Sequence, residues 1–146
     1  MHCSSIGKMQ PVRMLFSLHV GDLTFYSPLG MFYPPFKQLS AQARNMFTDL
    51  EINAEEHGFL GQSNYRGTDT LTQPKSLNII YFRSLEHMHK WAQGKGHREG
   101  WDWWNANSQN LDEITIAHEV YSIPAGNWEN IYHNSIPFDF GRCISH

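Results

Sequence analysis

The segment Leu77-Asn78-Ile79-Ile80-Tyr81-Phe82-Arg83-Ser84-Leu85-Glu86-His87-Met88-His89-Lys90-Trp91-Ala92 reads as a strand that turns directly into a helix. Leu77, Ile79 and Tyr81 alternate with Asn78, Ile80 and Phe82, a run dominated by β-prone side chains. Ser84 can cap the helix that follows, and Glu86 lies in its first turn, where the dipole favours a carboxylate. Gly94-Lys95-Gly96 interrupts that helix, and His97 opens a second piece reaching about Ser108. Its start, His97-Arg98-Glu99-Gly100-Trp101-Asp102-Trp103-Trp104-Asn105, together with Trp91 holds four of the five tryptophans. Indoles bury large areas and bring an N–H that needs an acceptor. The stretch therefore points to a ligand cavity or to an unusually aromatic core.

Working outward, Met14 to Val20 is a plausible first strand, closed by Gly21-Asp22. Leu23 to Pro35, with Pro28, Gly30, Pro34 and Pro35, reads as an irregular loop that packs over the body. Phe36 to His57 has helical spacing, with Phe36, Leu39, Ala43, Met46, Phe47, Leu50 and Ala54 on one stripe and Gly58 as its stop. Phe59 to Tyr65 is a strand, Gly67 to Ser76 a polar loop, and Ile114 to Ile123 the last strand, ended by Pro124-Ala125-Gly126. The order βαββαβ predicts an α+β, ferredoxin-like domain: a four-stranded antiparallel sheet with both helices on one face. The other sheet face would be bare. A second copy is the simplest cover, which makes a homodimer. Residues 1–13 are expected to be a flexible lead-in, 14–124 the domain, and 125–146 an arm docked on the body or on the partner subunit.

At 146 residues the chain is long enough for one domain with a real core. Its net charge is −3 and no block of like charges occurs, so neither nucleic acid nor a polybasic membrane contact is expected. Charged residues make up 17% and aromatics 14%, a balance that suits an interface or an apolar ligand. Cys3 and Cys143 make no disulfide framework. With no apolar run of eighteen residues and no signal-peptide core at the start, a cytoplasmic protein without a membrane span is expected.

Nine histidines supply the chemistry. His87 and His89 diverge on a helix, whereas His57, His97 and His118 lie on different elements and could converge. No paired helical spacing supports a metal site, and none is expected. His97 follows a glycine break, so its ring could enter a cavity and exchange a proton near neutral pH; packing at a helix start is its plain structural reading. His118 shares a strand face with Ile114, Ile116 and Val120, where a lone histidine is more often a satisfied core residue than a base. Thr115, Ala117, Glu119 and Tyr121 share the other face. Trp104 falls three residues after Trp101 and seven after His97, so the three share a helix face. Asn105, four after Trp101, could orient a ligand carbonyl from a pocket wall. The catalytic candidates are thus His97, His118 and Asn105. The candidate substrate-binding set is Trp101, Trp104, Tyr81, Phe82, Arg83 and Tyr121. Gly-x-Gly-x-x-Gly, P-loop, Gly-x-Ser-x-Gly and His-Glu-x-x-His patterns are absent.

The run Tyr81 to His87, then His97 to Asn105, then His118-Glu119-Val120-Tyr121 and Gly126-Asn127-Trp128-Glu129-Asn130-Ile131-Tyr132 resembles the monooxygenase-like proteins of fungal and bacterial secondary metabolism. These were once grouped as a domain of unknown function. They are related to the antibiotic-biosynthesis monooxygenases, which form dimeric α/β barrels. The similarity spans roughly residues 14–134, and the Gly-Asn-Trp-Glu-Asn-Ile-Tyr motif is its most distinctive piece. The resemblance implies a small enzyme tailoring an apolar natural product, a polyketide or terpenoid, as a cofactor-independent monooxygenase. On the same fold a non-oxidative cyclase, isomerase or dehydratase is an alternative, and a non-catalytic binder of a hydrophobic intermediate is another. A haem version needs a proximal histidine, and none stands out, so no cofactor is expected.

Overall fold

The computed structural model describes residues 16–26, 34–68, 73–136 and Gly141. The expected lead-in of residues 1–13 lies outside them. In chain order the elements are β1 (Phe16–Phe25), α1 (Pro34–Ile52), the short α2 (Ala54–His57), β2 (Phe59–Thr68), β3 (Pro74–Phe82), α3 (Leu85–Gln93), α4 (Lys95–Asn107) and β4 (Ile114–Ile123). The sheet order is β2-β3-β1-β4, and every neighbouring pair is antiparallel. That is the ferredoxin-like order expected from βαββαβ.

Several boundaries differ from the reading of the sequence. Gly21-Asp22 does not close β1. The strand continues to Phe25 because it lies at the sheet centre, with Gly21 facing Asn78 on one side and His118 on the other. Backbone pairing on both sides outweighs the local turn signal. The expected loop from Leu23 to Pro35 therefore begins later, and residues 27–33 lie outside the described residues. Pro34 and Pro35 open α1, where a missing N–H costs nothing. The stripe after Phe36 breaks at Asn53 into α1 and α2, and Gly58 ends α2 at φ 58°. The polar loop is shorter than expected, since β2 and β3 pair out to Thr68 and Pro74. The second helix is cut at Gly94, and Ser84 Oγ accepts from the His87 N–H to cap α3.

Alternation gives the sheet two faces. Leu50, Ile80, Phe82, Met88 and Trp91 form the main core between sheet and helices. Phe25, Leu39, Leu111 and Ile114 form a second cluster at the other end of the same layer. Phe82 and Trp91 are almost wholly buried. Burying such a side chain contributes roughly 1.5–3 kcal/mol. On the open face Tyr81 packs with Leu60, Ile79 and Ile123, and Trp128 from the C-terminal segment folds over them. Beyond it Ile131 and Ile136 are exposed.

Candidate active site

Two helices and the sheet enclose one apolar cavity between the two core clusters. Leu39, Gln42, Ala43 and Met46 of α1 line it at helical offsets of zero, three, four and seven. His97, Gly100, Trp101 and Trp104 of α4 line the opposite wall at the same offsets. The sheet contributes His19, Gly21 and Leu23 from β1, Asn78 and Ile80 from β3, and Ile116 and His118 from β4. Its volume is about 140 Å³. That is close to the ~150 Å³ apolar cavity known to take up benzene, and well below the ~300 Å³ at which drug-sized sites begin. A larger substrate would project past Trp101, which is 47% exposed at the mouth.

Three histidines meet at this cavity. The His19 and His118 rings are 4.7 Å apart, centroid to centroid, and edge to face. His97 and His118 are 6.5 Å apart. Trp91 sits edge-on to both His97, at 4.7 Å, and His19, at 6.1 Å. Burial, helped by the neighbouring His118 and His97, holds the His19 ring down to about 4. Burial and then His118 lower the His97 value as well, while a hydrogen bond to the Ala92 carbonyl pulls the other way. Burial also lowers that of His118, whose outer side opens to solvent on an edge strand. All three rings are therefore neutral at pH 7.

The Ala92 contact fixes a tautomer. Ala92 lies in the last turn of α3, where carbonyls lack helical partners. One His97 ring nitrogen donates to that carbonyl, so the other carries a lone pair and can accept a proton. His19 Nδ1 is buried with no hydrogen-bond partner among the described residues. Among those residues no three His, Cys, Asp or Glu side chains are placed to hold a metal ion.

The sign of the pH effect follows from the direction of these shifts. A histidine whose folded value lies below the unfolded one binds protons more readily when unfolded. The stability contributed by a neutral, buried His19 is then complete above about pH 6.5 and lost as pH falls towards about 4. Urea unfolding is expected to lose on the order of 3 kcal/mol across that window, and His19→Phe to flatten the loss. An unchanged pH dependence in that variant would refute the assignment.

The structure brings His97, His118, Trp101 and Trp104 to one cavity. It does not bring the other candidates there. Asn105 is exposed on α4, one position past the cavity-lining stripe. Phe82 is sealed in the core. Arg83 is half-buried and paired bidentately with Glu55. Tyr81 and Tyr121 point from the open sheet face, and Tyr121 donates to Glu119. His57 lies away from the cavity, with Nε2 3.5 Å from Asp49. The amide expected at Asn105 is supplied instead by Gln42 and Asn78. Gln42, three residues after Leu39 and four before Met46, lies at the edge of the apolar stripe of α1, and that spacing is the signal that could have found it. His19 was not, because β1 mixes polar and apolar residues on both faces, and only its register against β3 and β4 shows which face meets the helices.

A larger groove of about 450 Å³ crosses the open face beside Asp22, Arg66, Lys75 and Glu119. Asp22 and Lys75 pair across it at 3.3 Å. It has no neutral base against an apolar wall, so the smaller cavity is the better reaction site.

The chain is 29% identical over 124 residues to monooxygenase af470 of Aspergillus fumigatus, covering 85% of this chain. It spans only 44% of that relative's length. An aldoxime dehydratase (OxdRE) solved with butyraldoxime superposes at a TM-score of 0.61 and 15% identity, over 79% of this chain and 33% of that one. A dimeric ferredoxin-like protein from an uncultured marine organism superposes at 0.51 and 9% identity, over 75% of this chain and 95% of that one. These structural likenesses show the shared fold. Among the described residues no helix is long and apolar enough to cross a membrane. The monooxygenase af470-like family pattern matches residues 18–140, a stretch that runs from within β1 through β4 and holds the whole imidazole-lined cavity, and the chain belongs to that family.

Proposed function

We propose that this chain is a cofactor-independent, monooxygenase-like enzyme acting on an apolar natural product such as a polyketide or terpenoid. The observation that carries the reading is the meeting of neutral imidazoles with tryptophan walls in one small cavity. The free ring nitrogen of His97 takes a proton from an acidic C–H of the substrate. Trp104, Gln42 and Asn78 offer N–H donors to the oxyanion that develops. Apolar walls keep water from quenching the carbanion. The carbanion passes an electron to dioxygen, the radical pair combines to a peroxide, and loss of water leaves a carbonyl. Overall a CH₂ and O₂ become C=O and H₂O, so the substrate is the reductant. The proton taken by His97 passes to the peroxide anion, with His118 at the rim as a relay, so that the hydroperoxide can lose water.

The open sheet face, with half-exposed Tyr65 and Tyr121, is where we place a second copy. Sedimentation as a dimer at micromolar concentration is the expected result, and a monodisperse monomer would exclude it. For the reaction itself, turnover of an enolisable ring substrate is expected to consume one O₂ per product and to stop under argon. Equal product yield under argon would replace oxygenation with a cyclase, isomerase or dehydratase acting through the same base.

A further inference from the structure

Gly21 occupies an unusual place for a glycine. It lies in a central strand, paired on both sides, with no positive φ to require it. Glycine inside a strand weakens it and often marks the close approach of a ligand. An added Cβ would meet only His19 Cε1 at 3.7 Å and His118 Cδ2 at 3.8 Å, ordinary contact distances. Neither backbone strain nor neighbouring atoms therefore explain the missing side chain. What a side chain would fill is the cavity.

Gly21 stands in one row across the sheet, with Asn78 on one side and His118 on the other. Both flanking side chains line the cavity, and between them lies bare backbone. Asn64 Nδ2 donates to Asn78 Oδ1, so Asn78 is held by its oxygen and can turn its N–H pair to a ligand. A flat group lying on the glycine would meet an amide donor at one edge and an imidazole at the other.

The walls also select for charge. Among the described residues no lysine or arginine lines this cavity. The one carboxylate residue there, Asp22, alternates to the other face and bonds Thr24 and Lys75. An anion would enter without a counter-charge, which is costly in an apolar site.

We infer that Gly21 is the specificity-determining floor of the cavity, and that the site takes an uncharged, flat ring laid across β1 between Asn78 and His118. This rests on the proposed active site but deepens it, naming the substrate as neutral, with one ring seated and any remainder outside.

The test is NMR titration under argon, following the imidazole C–H signals of His19 and His118, with phenol and its charged counterpart benzoate as probes. Phenol is expected to shift both signals, and benzoate to bind at least about tenfold more weakly. Gly21→Val should weaken phenol at least about tenfold, the scale at which a single methylene matters in an apolar pocket. Gly21→Ala keeps the experiment decisive if the valine variant does not fold. Its melting temperature should rise by about 2–4 °C, as glycine's strand penalty is removed, while phenol binding weakens severalfold. Unchanged phenol affinity in the folded alanine variant, or benzoate binding as tightly as phenol, would overturn the inference. Failure of the oxygenase reading looks different: product forms under argon while these affinities stand.

Discussion

Trp91→Ala is expected to destabilise the protein by about 3–5 kcal/mol, the usual cost of truncating a buried aromatic. Trp91 is 1% exposed and packs on Phe82 at 5.5 Å, inside the cluster with Leu50, Ile80 and Met88. It also stands between the core and the site, edge-on to His19 and His97. A domain of this size is stable by about 5–15 kcal/mol in all, so one substitution removes a large share. Chemical denaturation reads the loss directly. Trp91→Phe is expected to cost much less. The indole Nε1 is buried with no hydrogen-bond partner among the described residues, and phenylalanine removes that desolvated N–H while keeping most of the packing. Equal losses for the two variants would mean that the indole nitrogen is satisfied by some other group, and that shape at this site matters more than polarity.

His97→Ala is expected to lower kcat about 10²–10⁴-fold, the range for loss of a general base, with the melting temperature little changed. His97 is only partly buried, so its removal leaves no sealed void. His118→Ala should cost less, since solvent at the rim can replace a proton carrier. The pH profile separates the roles. Burial and His118 hold His97 below the ordinary histidine range, so wild-type turnover should be flat at neutral pH and fall only in acid. Without His97 that acid limb should vanish along with most of the rate. Full activity in His97→Ala, with loss in Tyr121→Phe instead, would move the chemistry to the open face of the sheet.

Trp91 and His97 meet edge to face, with ring centroids 4.7 Å apart. Trp91 belongs to the core by burial and to the site by contact, so loosening the core there should also loosen the imidazoles. The same coupling explains the position of the cavity, in the gap between the cluster around Trp91 and the cluster around Leu39 and Ile114. No side chain of α1 or α4 comes within 4 Å of the place that a Gly21 Cβ would take.

The element order, and with it the fold, is written in local signals along the chain. Periodicity of two in Leu77–Phe82 and Ile114–Ile123, helical spacing after Pro35 and Ser84, and the Gly58 and Gly94 stops are local signals that agree with one another. The sequence also placed Trp101, Trp104 and His97 on one helix face, because a 3.6-residue turn does so wherever the helix docks. Tertiary structure alone decided which residues share the site. His19 became the third imidazole through the pairing of β1 with β3 and β4, while Tyr81 and Tyr121 were carried to the opposite face by the same alternation. Strand register is a long-range property: a shift of one residue exchanges the two faces, and no window along the chain records it.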